Sequence, residues 1–183
     1  MNYYISDIHL DHKNVLKYDN RPFADCDIMF KALVHNWNST VKPDDDVYIL
    51  GDLTWKNSSG LDFLQQIAGR KYLILGNHDK PTADMMKCFE WVKDYAVIRD
   101  GETDVVLFHY PIASWYNQFH GSVHLYGHVH GNFDHTAYLR YLDVCDELGI
   151  PHECYNVGCM MPYMDYTPRT LAEIRQFCGL MTT

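Results

Sequence analysis

The stretch Lys71-Tyr72-Leu73-Ile74-Leu75-Gly76-Asn77-His78-Asp79 decides the reading of this chain. Its first half belongs to a set of short runs rich in Tyr, Ile, Val and Leu that read as strands buried on both faces. Its second half holds no apolar residue. Gly and Asn favour a turn, while His and Asp are titratable and can ligate metals, so this cluster directly after a buried strand is poorly explained by packing alone.

The same arrangement recurs on either side. Asn2 to Ile5 runs into Ser6-Asp7-Ile8-His9, and Asp46 to Leu50 runs into Gly51-Asp52. Val105 to Phe108 is followed by His109-Tyr110-Pro111, and Val123 to Tyr126 by Gly127-His128-Val129-His130. Taken singly, each fragment is weak: Gly-Asp is usually a turn, a lone His is often a satisfied core residue, and Asp-x-His places two side chains on one side of any extended backbone. Taken together they are not weak. In an open α/β sheet, ligands bind beyond the carboxyl ends of the strands, so residues 120 positions apart would converge on one crevice.

Between the strands, Asp25 to Trp37 carries Ile28, Met29, Ala32, Leu33 and Trp37 at helical spacing. Leu61, Leu64, Ile67 and Ala68 repeat the pattern, with Ser58 and Ser59 as N-cap candidates. The opening is therefore βαβαβ. Asp100-Gly101 between Val97-Ile98 and Val105-Val106-Leu107 predicts a hairpin, which makes the sheet structure mixed. Beyond residue 130 the pattern weakens: Tyr138 to Leu148 fits a helix ending at Gly149-Ile150-Pro151, with a strand as the alternative. Thr170 and Glu173 form a capping box ahead of Leu171, Ile174 and Phe177, predicting a last helix that covers the sheet.

Length and composition limit the function. At 183 residues the chain is expected to form a single domain, residues 1–183, with a sizeable core. Fifteen Lys and Arg against 24 Asp and Glu leave a net charge of −9, which opposes attraction to nucleic-acid backbones and anionic membranes. The N-terminus lacks a basic, then apolar, leader, and no run of 18 apolar residues occurs, so a soluble cytoplasmic protein is expected. Six scattered cysteines without a Cys-x-x-Cys pair read as small buried thiols. The abnormal feature of the composition is His, 11 of 183, and five of these lie in the strand-end motifs.

The ordered set Asp7-x-His9, Gly51-Asp52, Gly76-Asn77-His78-Asp79, His109 and Gly127-His128-x-His130 resembles the calcineurin-like metallophosphoesterases. Within that superfamily, Asp11-His12-Lys13-Asn14, Asn20-Arg21-Pro22-Phe23 and Asn156-Val157-Gly158 look like small bacterial and phage phosphoesterases. The resemblance implies an α/β fold of mixed β-sheets packed as a sandwich flanked by helices, in four α/β/β/α layers. It also implies a dinuclear metal-dependent phosphoesterase acting on a small phosphodiester or phosphomonoester, such as one derived from a nucleotide. One divalent ion would be held by Asp7, His9, Asp52 and His130, the second by Asp52, Asn77, His109 and His128, with Asp52 as the bridge. Imidazole, carboxylate and amide ligands without thiolate suit Mn, Fe, Ni, Co or Zn, and manganese is the ion expected in assays. A bridging hydroxide would attack phosphorus directly while the ions stabilise the in-line transition state.

The resemblance assigns His78 as general acid for the leaving group, with Asp79 orienting its ring. Asp79 could equally cap the corner at Lys80-Pro81, and the two roles are compatible. From loop position, His12 could contact the phosphate or leaving group, against a plain surface histidine. Arg21 could pair a substrate phosphate bidentately, against the commoner surface salt bridge. His120 and His124 flank the last strand of the motif series and could line the rim, while Trp55, Trp115 and Tyr116 could stack on an aromatic leaving group. The competing functions are a nuclease on longer nucleic acid, which the charge disfavours, and a non-catalytic binding module, which the complete ligand set disfavours. A Ser or Cys hydrolase is the least favoured reading, since there is no Gly-x-Ser-x-Gly elbow and no Cys within the motifs.

Overall fold

The computed structural model describes residues 1–181. In chain order the elements are β1 (Asn2–Ile5), α1 (Val15–Tyr18), α2 (Cys26–Thr40), β2 (Asp46–Ile49), α3 (Asn57–Gln66), β3 (Arg70–Ile74), α4 (Ala83–Met86) and β4 (Trp91–Lys93). They continue with β5 (Tyr95–Asp100), β6 (Thr103–Phe108), a 3-10 turn at Gln118–His120, β7 (Val123–Tyr126), α5 (Phe133–Leu148), β8 (Cys154–Asn156) and α6 (Leu171–Met181). The strands form two four-stranded sheets in the orders β1-β2-β3-β4 and β5-β6-β7-β8.

The mixing expected from the Asp100-Gly101 hairpin is confined to the second sheet. There β5 and β6 run antiparallel while β6, β7 and β8 are parallel. The first sheet is parallel throughout. One apolar cluster joins both sheets: Tyr4, Ile5, Val47 and Ile49 from the first share it with Val105, Leu107, Val123 and Leu125 from the second. The sheets are also tied by polar bonds. Tyr4 Oη donates to Asp100 Oδ2 at 2.8 Å, and the Ser6 amide donates to the Val157 carbonyl at 2.8 Å, bringing the end of β1 beside the segment that follows β8.

Amphipathic spacing explains how the helices dock. Met29, Leu33 and Trp37 of α2 are buried on one face, and Trp37 meets Phe63 of α3 edge-on. Asp25 caps α2 by accepting from the Ile28 amide, as an N-cap carboxylate does. The expected caps of α3 are not caps: its N-cap is Lys56, without a side-chain bond, and Ser58 and Ser59 lie inside the first turn. The Thr170–Glu173 capping box closes α6 reciprocally, Thr170 donating its amide to Glu173 and receiving the Glu173 amide. Residues 138–148 are helical and belong to α5, which starts on an Asn132 cap and stops at Gly149 in the left-handed conformation.

Candidate metal centre

Five loops leave the carboxyl ends of β1, β2, β3, β6 and β7 and carry the motif residues to one place. The backbone there is unusual. Asp7, His9, Asp52, His128 and His130 all have positive φ, from 42° to 69°. For non-glycine residues this costs about 1–2 kcal/mol each and is concentrated at functional sites. The Asp7-x-His9 pair was expected on extended backbone, with the period of a strand; instead both residues are left-handed, and their amides bond to the Gly51 and Asp52 carbonyls. At Gly51 (φ +93°) any Cβ would collide with the His109 ring and the Gly76 backbone, so only glycine allows His109 to approach.

The ligand-type atoms form two groups. Asp7, His9 and His130 make one, Asp52, His109 and His128 the other, and within each group the donor atoms lie within 4.8 Å of one another. Asp52 Oδ2 joins them, 3.5 Å from His9 Nε2 and 3.5 Å from His109 Nε2. Asn77 Oδ1 completes the second group at 3.2 Å from His109 Nε2 and 3.0 Å from His128 Nδ1. All seven residues singled out as ligands in the sequence are therefore brought together.

The environment prepares these groups to bind a cation. The His109 Nδ1–H donates to the Leu50 carbonyl at 2.8 Å, leaving Nε2 with its lone pair toward the cluster. His130 is oriented likewise, with Nδ1 2.7 Å from Asp19 Oδ1. Its Nε2 faces His9 Nε2 at 3.2 Å, two ring nitrogens aimed at one point. Burial pushes the His9 imidazole down to about 3, which keeps it neutral. Burial would raise the Asp52 carboxyl, but His109 and the His78 amide outweigh it and hold it at about 2, ionised. Imidazole nitrogens, an ionised bridging carboxylate and an amide oxygen are a hard-to-borderline donor set, the set that divalent ions take.

Asp7, fully buried, accepts from Ser6 Oγ at 2.6 Å and from the His128 amide at 3.0 and 3.1 Å, so β1 and the loop after β7 are locked together at the site. Two expectations are corrected. Arg21 does not face a substrate: its side chain is 0% exposed, donating Nη1 to the Ile8 carbonyl, Nη2 to the Asp7 carbonyl, and Nε and Nη2 to Asp19. It clamps the strained loop of β1 from behind. Asp79 does not hold the His78 ring; its carboxylate accepts from the amides of Asp52, Leu53 and Gly76, tying the loops after β2 and β3 together. His78 itself lies open beside the cluster, its ring 5.5 Å from that of His9.

His12 lines a cavity next to these groups, stacked on Trp55 with ring centroids 4.4 Å apart, and its Nδ1 has no hydrogen-bond partner among the described residues. The other rim candidates separate. His124 is fully buried within β7 and Trp115 is buried against it, whereas Tyr116 is exposed away from the cavity. Sequence reasoning missed Asp19, which holds His130. No spacing rule marks an aspartate in a loop for this role; its one signal is Arg21 two residues later.

The calcineurin-like phosphoesterase family model matches residues 3–89, the segment that carries Asp7, His9, Asp52, Asn77 and His78. The uncharacterised protein MJ1445 of Methanocaldococcus jannaschii is 36% identical over 71% of this chain and 69% of its own length. The Gene 66 protein of Mycobacterium phage L5 is 32% identical, over 70% of this chain and 76% of its own. The chain belongs to the calcineurin-like phosphoesterases. It is a metal-dependent phosphoester hydrolase with two four-stranded sheets and flanking helices. The fold of this calcineurin-like phosphoesterase also matches the crystal structure of AQ665, a protein of unknown function from Aquifex aeolicus, with a TM-score of 0.72 and 27% identity over 97% of this chain and 98% of that one.

Proposed function

We propose that this calcineurin-like phosphoesterase hydrolyses a small phosphodiester or phosphomonoester with two divalent ions, manganese in the first instance. The observation that carries this reading is Asp52 Oδ2 at equal distance, 3.5 Å, from a histidine of each ligand group. Asp7, His9, Asp52 and His130 would hold one ion, and Asp52, Asn77, His109 and His128 the other. Bound there, the pair would polarise the phosphoryl oxygens and activate water for in-line attack.

The chain's own residues supply the rest. Asp79 keeps the loops after β2 and β3 in register, so that Asp52 and Asn77 point into one space. His78 stands at the mouth, its amide on Asp52 Oδ1 at 3.0 Å and its ring free of that bond, placed to give a proton to the departing alkoxide. The net charge of −9 supports a small ester over an extended nucleic-acid backbone. We place residues 1–183 in one domain acting in the cytoplasm. The six cysteines are scattered without a Cys-x-x-Cys pair, which fits a reducing compartment, and no helix among the described residues is long and apolar enough to cross a membrane.

The test is reconstitution. Metal-free protein supplied with Mn²⁺ is assayed on bis-p-nitrophenyl phosphate and p-nitrophenyl phosphate. Metal-dependent release of p-nitrophenol from either is expected, and its absence from both would defeat the reading.

A further inference from the structure

Beside the ligand groups lies a cavity of about 850 Å³, well beyond what a phosphoryl group occupies and within the size range of sites for drug-sized molecules. One wall is the cluster itself, with His9, His78, His128 and His130. Apolar side chains also line it, Val15 and Tyr18 of α1, the exposed ring of Trp55, and Met160, Met161 and Pro162 after β8, beside the polar His12, Asn20, Asn132 and His135. Among the described residues that line it, Asp19 is the one carboxylate, and there is no lysine or arginine. Arg21, the basic residue bonded to Asp19, spends its donors on that carboxylate and on backbone carbonyls. Lys80 lines a separate recess beyond Trp55 and His78.

We propose that this cavity is a leaving-group subsite for an uncharged, apolar or aromatic alcohol, so that the substrate is a phosphate ester whose leaving group carries no second anionic group. The inference rests on the phosphoesterase reading above and narrows its substrate class. An anion placed here would lose water without gaining a lysine or arginine counter-ion from the lining. Positive charge brought by metal ions would be offset by Asp7, Asp52 and the phosphoryl group. The flat surface of Trp55 and the methionine thioethers suit a planar or irregular apolar body.

The test uses two nitrophenyl phosphodiesters that differ in one feature, a ring carboxylate on the leaving group or its methyl ester. Mn²⁺-loaded protein should favour the neutral ester in kcat/KM by about tenfold or more. Tyr18→Lys, at a position 76% exposed, should narrow that ratio several-fold, and Met161→Lys gives a second placement of the cation should the first be too mobile. Calorimetric binding of benzylphosphonate and 4-carboxybenzylphosphonate repeats the comparison without turnover. Preference for the neutral ligand in binding with hydrolysis of neither ester would support the subsite and count against the hydrolytic reading. Equal handling of the two esters and of the two phosphonates, or ratios unmoved in both folded variants, would overturn the subsite while leaving hydrolysis in place.

Discussion

Asp19 Oδ1 receives the Nδ1–H of His130 at 2.7 Å, although the two residues are 111 positions apart. The other oxygen of the same carboxylate is bound by Arg21, which also grips the carbonyls of Asp7 and Ile8. A single polar chain thus runs from one end of the first ligand group to the other, behind the ligands. Partners in this position fix the tautomer and ring orientation of a metal-binding histidine, and their loss typically costs about 10–100-fold in metal affinity. Asp19→Ala is expected to weaken one of two Mn²⁺ sites by that factor, measured by calorimetry. Asp19→Asn, whose amide oxygen can still accept from Nδ1, should recover most of it.

Arg21 should matter more for folding than for substrate. Its guanidinium is fully buried, and it satisfies two carbonyls in a loop whose Asp7 and His9 have positive φ. Removing one member of a buried ion pair costs about 3–5 kcal/mol. Arg21→Met should lower urea-unfolding stability by about that amount, while the KM of any surviving activity stays near wild type. A raised KM with unchanged stability would restore the substrate-binding role.

His78 is predicted to act in the chemical step and to leave ion binding alone. His78→Ala should lower kcat by about 10²–10⁴-fold, the usual worth of a general acid. Because only its backbone amide bonds to Asp52 Oδ1, the variant should keep the wild-type Mn²⁺ stoichiometry. Activity with an ester whose leaving group needs no proton should fall much less.

A buried histidine outside the site makes stability depend on pH. His124, fully buried between the Val106 and Tyr110 carbonyls, is pushed down to about 4 by burial. In the unfolded chain it would titrate near the usual value, about 6.5. The unfolded state then binds the extra proton, so this contribution is complete above about pH 6.5 and is lost as pH falls toward 4. The loss is on the order of 3 kcal/mol. Urea-unfolding curves of wild type between pH 7 and 4.5 should show that decline, and His124→Gln should flatten it.

Much of this is legible in the sequence. The strands β1, β2, β3, β6 and β7 are runs of Tyr, Ile, Val and Leu ending in Asp, Asn or His, and each motif falls where its strand stops. The strands β4 and β8 have three residues each, too few for any periodicity to declare itself, and both take their place from neighbours already in the sheet. Roles that depend on burial were harder. Arg21 is an exposed type of residue drawn inside by loop carbonyls that need a donor. Asp79 looks like a partner for the adjacent His78, but the amides of Asp52, Leu53 and Gly76 reach it first. Asp19 gains its meaning only from His130, which no local pattern connects to it.

The shared position of Asp52 is the centre of the account, and metal stoichiometry tests it most directly. Metal-free protein titrated with Mn²⁺ in a calorimeter should bind two ions per chain, and Asp52→Asn, which keeps the shape but removes the charge common to both groups, should weaken both sites and lose at least one. A single ion in the wild-type protein, or two ions held as tightly by Asp52→Asn, would contradict it.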